Sequence, residues 1–223
     1  MYWMMFIGVA VISYIVQIVF QKRIDAASRC RLNMSGREVA QKMLSDHGIT
    51  NVRIISTNGR LTDNFNPSDM TVNLSEAVYD QYNAAAAAVA AHECGHAVQH
   101  ATGYGPIRLR SALVPVVSFA SRAVTWVLLA GMFLINVFPQ LMLFGIILFA
   151  MTTLFSFVTL PVEINASRRA LAWLDRSGIT DTSNHAAAEG ALRAAAYTYV
   201  VGALSSLATL IYYILIFTSG RRN

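Results

Sequence analysis

Two histidines and a glutamate in the run His92-Glu93-Cys94-Gly95-His96 stand at a spacing that can do metal chemistry. Residues four apart on a helix share a face, so His92 and His96 can turn two imidazoles toward one ion. Glu93 then stands beside that ion, where its carboxylate can take a proton from an activated water. The reaction such a set performs is hydrolysis. The metal polarises the substrate carbonyl, and Glu93 relays a proton to the leaving amine. The alternative is a pair of helix histidines that are merely packed. The run lies on a long apolar helix, where titratable groups are costly unless paired or metal-bound, and this favours the ion. The expected cofactor is one Zn2+, held by three protein ligands with a fourth position open.

The third ligand must come from elsewhere. His100 continues the same face, but a third histidine in the extended zinc motif stands six residues after the second, not four. A supporting or solvated role suits it better. His47 sits at a helix end and His185 in a polar loop, both as ordinary surface residues. Cys94 lies on a different helix azimuth from the histidines and reads as a small packed residue. Of the five glutamates, Glu38 and Glu76 precede the motif and Glu189 lies far into a polar loop. Glu163, in LPVEINASRRALAWL, is the better candidate; its alternative role is a helix-capping carboxylate after Pro161. Asn165, Ser167 and Arg168 can support the ligands by hydrogen bonds, and Arg169 can do the same.

These residues need elements to position them, and the composition says what kind. The chain has 223 residues, 55% hydrophobic and only 13% charged, against about 25% charged in a soluble domain. Mean hydropathy is +0.47. The expected fold class is mainly α: a multi-pass helical membrane protein of about four transmembrane helices, with a small α+β zincin-like cytoplasmic metalloprotease part. Residues 2–20 are uncharged and long enough to span, and they read as a retained anchor rather than a cleaved signal. Residues 21–110 form the polar part with the metal motif. Residues 114–160 are apolar over twice one span, broken by Asn136, Pro139 and Gln140, and read as a hairpin of helices near 114–135 and 139–160. Residues 161–196 are polar and carry the third ligand. Residues 197–217 form a fourth span, where Gly202, Ser205 and Ser206 suit close helix packing. The whole, 1–223, is expected to act as one integrated unit.

Within the polar part, Ser35 suits an N-cap for a helix over 36–46 that stops near Gly48. Residues 52–56 have β character, and Met70–Leu74 (MTVNL) alternates as a short strand. From Asn83 the alanine-rich run favours a helix, with Gly103 as its stop.

Charge gives orientation and excludes some functions. The net charge is +5, but the basic residues flank apolar segments, which favours membrane orientation over nucleic-acid binding. Lys22, Arg23, Arg29, Arg31, Arg108 and Arg110 border the first polar region, and Arg168, Arg169, Arg176 and Arg193 lie in the second. The hairpin tip has none, so both polar regions are expected on the cytoplasmic side of a bacterial inner membrane. Arg221-Arg222 is discordant. Arg122 interrupts a span, either snorkelling or lining the interior. Two distant cysteines make no disulfide framework. A transporter would show several intramembrane polar residues or a repeat, and one charge without a repeat does not.

The stretches VNLSEAVYD, AAVAAHECGHAVQHATGYGPIRLRSALVPV, LPVEINASRRALAWL and LRAAAYTYVVGALSSL resemble the YugP-type neutral zinc metallopeptidases, bacterial membrane proteins, over nearly the whole chain. The resemblance implies a gluzincin-type site: His92, His96 and Glu163 as ligands and Glu93 as base. The chain also looks distantly like the HtpX-like membrane peptidases, whose E-x-x-A-D stretch puts an aspartate four residues after the ligand glutamate. Here that position is Ser167. In zincins of this kind a strand before the active-site helix binds extended substrate, which places Met70–Leu74, with Val72, Asn73 and Leu74, against the peptide. The expected function is a membrane-embedded zinc endopeptidase acting on peptides or on unfolded or membrane-associated proteins. The alternative is a catalytically silent zinc scaffold for partner assembly, although such a scaffold does not need Glu93. Partners beyond substrate and bilayer, an oligomer or a regulatory membrane protein, are permitted by the sequence and not demanded by it.

Overall fold

The structure is a computed structural model that describes residues 2–59 and 61–220. The described elements run in the order α1 (Tyr2–Ser28), α2 (Gly36–Asp46), β1 (Arg53–Thr57), β2 (Asn64–Asn66), β3 (Thr71–Ser75), α3 (Glu76–Tyr79), α4 (Ala84–Ala101), α5 (Gly105–Phe133), α6 (Pro139–Arg176) and α7 (Thr182–Gly220). The protein is mainly helical with one small sheet. Among the described residues, four helices are long and apolar enough to cross a membrane: Trp3–Ser28, Gly105–Phe133, Pro139–Arg176 and Thr182–Ser219. Arg221 and Arg222 lie outside the described residues.

The chain divides into two compact units. One comprises residues 1–14, 109–160 and 199–223. Its core is Ala120, Val124, Leu128, Met142, Ile146 and Leu148. A Cβ on Gly131 would lie 2.7 Å from the Met142 Cα, so the hairpin closes backbone to backbone there. Thr153 and Ser206 share a hydroxyl–hydroxyl hydrogen bond of 2.7 Å. Gly202 has open space where a side chain would stand, so of these two residues it is Ser206 that meets another helix. Arg122 is exposed, which removes the reading in which it lines the interior.

The other unit comprises residues 15–108 and 161–198 and holds every candidate site residue. At its centre is α4. Alanines at 84–88, 90, 91 and 97 are all buried; a helix apolar all round is one that neighbours enclose. Asn83 starts it, accepting a hydrogen bond from the Ala86 N–H at 2.9 Å, and Gly103, at φ +66°, follows its end. The helix α2 packs on α4 and begins with a capping box: Ser35 Oγ accepts from the Glu38 N–H, and Glu38 Oε2 accepts from the Ser35 N–H at 2.7 Å. Trp173 Nε1 donates to Asp46 Oδ2 at 3.0 Å, tying the end of α6 to the end of α2.

The sheet has the order β1-β3-β2, with β1 parallel and β2 antiparallel to β3. This corrects the assignment of residues 70–74 as the strand that takes up substrate. The central strand is β3: Val72 and Asn73 pair with Ile54 and Ile55 on one side and with Phe65 and Asn64 on the other. No backbone edge remains there for a peptide. The Val72 and Leu74 side chains are fully buried, and Asn73 Nδ2 donates to Asn64 Oδ1.

Candidate metal centre

The site forms where α4 meets the part of α6 that follows Pro161. Gly95 makes the meeting close: a Cβ there would stand 2.7 Å from the Ala166 carbonyl oxygen. On α4, His92 stands three residues before Gly95 and His96 directly after it; on α6, Glu163 stands three residues before Ala166 and Ser167 directly after it. Pro161 lies inside α6, so Glu163 follows it within a continuous helix and is not a capping carboxylate.

Three donor atoms converge, one each from His92, His96 and Glu163, all within 4.8 Å of one another. Glu163 Oε2 lies 3.2 Å from His92 Nε2 and 3.6 Å from His96 Nε2. The imidazoles stand nearly perpendicular, with ring centroids 4.8 Å apart. The side chains are 13%, 7% and 4% exposed for His92, His96 and Glu163. The donor set fits zinc in kind, two imidazoles and a carboxylate. It also fits in spacing, because tetrahedral bonds of about 2.0–2.2 Å separate ligand atoms by about 3.4 Å.

The far nitrogens are engaged as well. His92 Nδ1 lies 3.1 Å from Ser167 Oγ, and His96 Nδ1 lies 3.0 Å from Gln99 Oε1. Both rings therefore turn Nε2 toward Glu163. Burial opposes a charge on His96, but the hydrogen bond to Glu163 and the charges of Glu93 and Glu163 outweigh it and raise its pKa. Burial, with the Glu93 charge, pushes the Cys94 thiol far up; its sulfur contacts the Ala40 carbonyl. That is a packed thiol on another face of the helix.

Glu93 is nearly enclosed, and its Oε2 accepts a hydrogen bond from the Phe65 N–H at 3.0 Å. Because Phe65 aims its amide at α4, that amide belongs to the free edge of β2. His100 joins no metal-capable cluster among the described residues; its ring lies 5.8 Å from that of Phe65. Asn165 stands one step out, accepting from Gln99 Nε2 at 3.0 Å and from Arg169 Nε at 2.8 Å. Arg168 is exposed and makes no hydrogen bond to this group among the described residues. Its placement beside the site is therefore corrected: one position along the helix, Arg169 is the arginine that faces inward.

Two residues were missed from sequence. Gln99 is three positions past His96 on the same helix face, a signal that spacing alone could have given. Phe65 acts through its backbone amide, in a strand of three residues that no side-chain pattern marks.

The chain matches, over residues 2–218, the family described as "Putative neutral zinc metallopeptidase". It is 40% identical over 187 residues to "Putative membrane protease YugP" of Bacillus subtilis (strain 168), covering 84% of this chain and 82% of that protein. No solved structure matches. Two histidines and a glutamate gathered from distant helices, in a chain matched almost end to end, place it in one group: the chain belongs to the neutral zinc metallopeptidase family.

Proposed function

We propose that the protein is a membrane-embedded zinc endopeptidase of the bacterial inner membrane, with its active site on the cytoplasmic side. The observation that carries this reading is the convergence of His92, His96 and Glu163 next to a nearly enclosed Glu93. Four apolar helices and the membrane protease among its relatives support the bilayer setting. The basic residues of segments 21–110 and 161–196 support the cytoplasmic side.

His92, His96 and Glu163 would hold the metal. Zinc, when bound, supplies a Lewis acid that activates water and polarises the scissile carbonyl. Glu93 takes a proton from the attacking water as the new C–O bond forms. It then delivers that proton to the amide nitrogen as the C–N bond breaks, leaving a carboxylic product and an amine.

The substrate lies along β2 rather than β3. The Phe65 amide opens away from the sheet, on the side of Glu93. An extended peptide can add to this edge by main-chain hydrogen bonds, which select for unfolded chain rather than for sequence. Access by extended chain favours peptides and unfolded or membrane-associated proteins over folded ones.

The test is zinc content and cleavage of an unfolded casein-like substrate by the purified full-length protein. The wild type is expected to carry about one zinc, as a site of three ligands and water requires. Glu163→Ala loses metal, and Glu93→Gln keeps metal but loses cleavage. A wild type that holds zinc but does not cleave would leave the silent zinc scaffold as the better reading, and wild-type cleavage by Glu93→Gln would remove Glu93 as the base.

A further inference from the structure

The hydrogen bonds behind His96 form a chain whose direction is dictated from one end. Arg169 Nε can only donate, and it donates to Asn165 at 2.8 Å, so the Asn165 atom facing it is the amide oxygen. That oxygen and the Val162 carbonyl, both acceptors, lie 3.0 Å and 2.8 Å from one end of the Gln99 amide. This end is therefore the NH2, and both of its protons are used. Rotating the amide would set an oxygen against two oxygens inside a fully buried pocket, for Gln99 has no exposed surface. The other end, Oε1, faces His96 Nδ1 at 3.0 Å. An amide oxygen only accepts, so Nδ1 must carry a proton.

The consequence falls on the opposite side of the ring. With the proton held on Nδ1, Nε2 is the nitrogen whose lone pair is available, and Nε2 is the atom that points at Glu163. His92 differs. Its Nδ1 faces the Ser167 hydroxyl, which can donate or accept, so nothing there dictates which nitrogen holds the proton.

We propose that Gln99 is a positioning residue: with Asn165 and Arg169 behind it, it holds His96 in the tautomer that presents Nε2 to a metal. The proposal rests on the zinc reading above and gives the two ligand histidines unequal support. The residues are all on α4 and α6. The Arg169 guanidinium is itself seated, 6.0 Å from the centroid of the Tyr104 ring.

The experiment is zinc affinity, by competition with a chromophoric chelator, on the full-length protein in detergent, with helix content and melting temperature of the zinc-free protein as controls. Gln99→Met keeps the side-chain length and removes every side-chain hydrogen bond. It is expected to bind zinc about 10- to 100-fold more weakly, the range for loss of a partner behind a ligand histidine. The 15N spectrum of the zinc-free histidines, taken where His96 is neutral, is expected to show its proton on Nδ1 in the wild type and redistributed between the two nitrogens in Gln99→Met. Asn165→Ala removes one of the two acceptors that orient Gln99 and leaves the Val162 carbonyl; it covers the case in which Gln99→Met does not fold, with an expected loss at or below about 10-fold. Wild-type affinity in Gln99→Met or, should that variant not fold, in Asn165→Ala overturns the proposal while the zinc reading stands. The same His96 tautomer in the wild type and in Gln99→Met also overturns it, because the amide is then not what holds the proton. A wild type that binds no zinc overturns the zinc reading, and the proposal with it.

Discussion

Glu163 Oε2 lies 3.2 Å from His92 Nε2, although the two residues are 71 positions apart in the chain. Their meeting depends on how closely α4 and α6 approach, and that approach is set at Gly95. A Cβ at this position would be 2.7 Å from a backbone oxygen of α6, and a backbone atom cannot swing aside as a flexible side chain would. Gly95→Ala is expected to push the helices apart and lower stability by about 1–3 kcal/mol, the usual cost of overpacking. Because the displaced turns carry the donors, zinc content should fall with the melting temperature. A variant with wild-type zinc affinity would show that the contact does not set the donor geometry.

Much of this arrangement was legible in the sequence because local rules decide it. The helix over 36–46 follows from Ser35 and Glu38, which form both halves of a capping box. The α4 helix follows from its alanines and from Asn83. The expected helices near 139–160 and 197–217 were too short. In the structure α6 runs to Arg176 and α7 begins at Thr182, since alanine, leucine and arginine on the polar side are as helix-favouring as the apolar residues before them. The sheet was the poorest part. Val72 and Leu74 marked β3 as a strand, but sequence does not say whether a strand is central or at an edge, and the edge here is formed by three residues of β2. Arg168 and Arg169 could not be told apart because one residue of helical phase separates facing Asn165 from facing outward.

Phe65 offers a test of the edge assignment. Its amide points at Glu93 and not into the sheet, so proline there removes that donor and leaves the ladder with β3 intact, as edge positions allow. Phe65→Pro is expected to retain zinc and to lower kcat/KM by about 10-fold or more, the effect of losing one hydrogen bond to a charged group. Unchanged cleavage would mean that neither Glu93 nor substrate uses this amide.

The capping box gives a pH dependence distinct from that of the metal site. The Ser35 backbone and hydroxyl donors hold the Glu38 carboxyl below its ordinary value of 4.5. A group with a lowered folded pKa stabilises the fold above its unfolded pKa, and this is lost as pH falls through the folded value. Glu38→Gln should therefore melt below the wild type at pH 7, and the difference should shrink below pH 4.5. Ser35→Ala removes the hydroxyl cap itself and should cost about 1 kcal/mol at pH 7. Melting curves of the zinc-free protein across this range read both effects; a gap for Glu38→Gln that is as large in acid as at neutrality would exclude the charge as its cause.

The neighbours Ser167 and Arg168 make the sharpest pair of substitutions. Ser167 Oγ stands 3.1 Å from His92 Nδ1, half-buried behind that ring, whereas Arg168 is exposed on the next position of the same helix. Ser167→Ala removes the hydroxyl at that nitrogen and leaves the ring free to turn, so zinc should bind about 10-fold more weakly, the lower end for loss of such a partner. Arg168→Ala should leave zinc affinity unchanged, because the charge it removes is screened by solvent. Both variants preserve helix propensity, alanine being the strongest helix former, so a difference between them reports the hydrogen bond and not the helix. If Arg168→Ala weakened zinc as much as Ser167→Ala, long-range charge rather than contact with His92 would govern affinity, and Glu163 would be expected to depend on the basic surface as a whole.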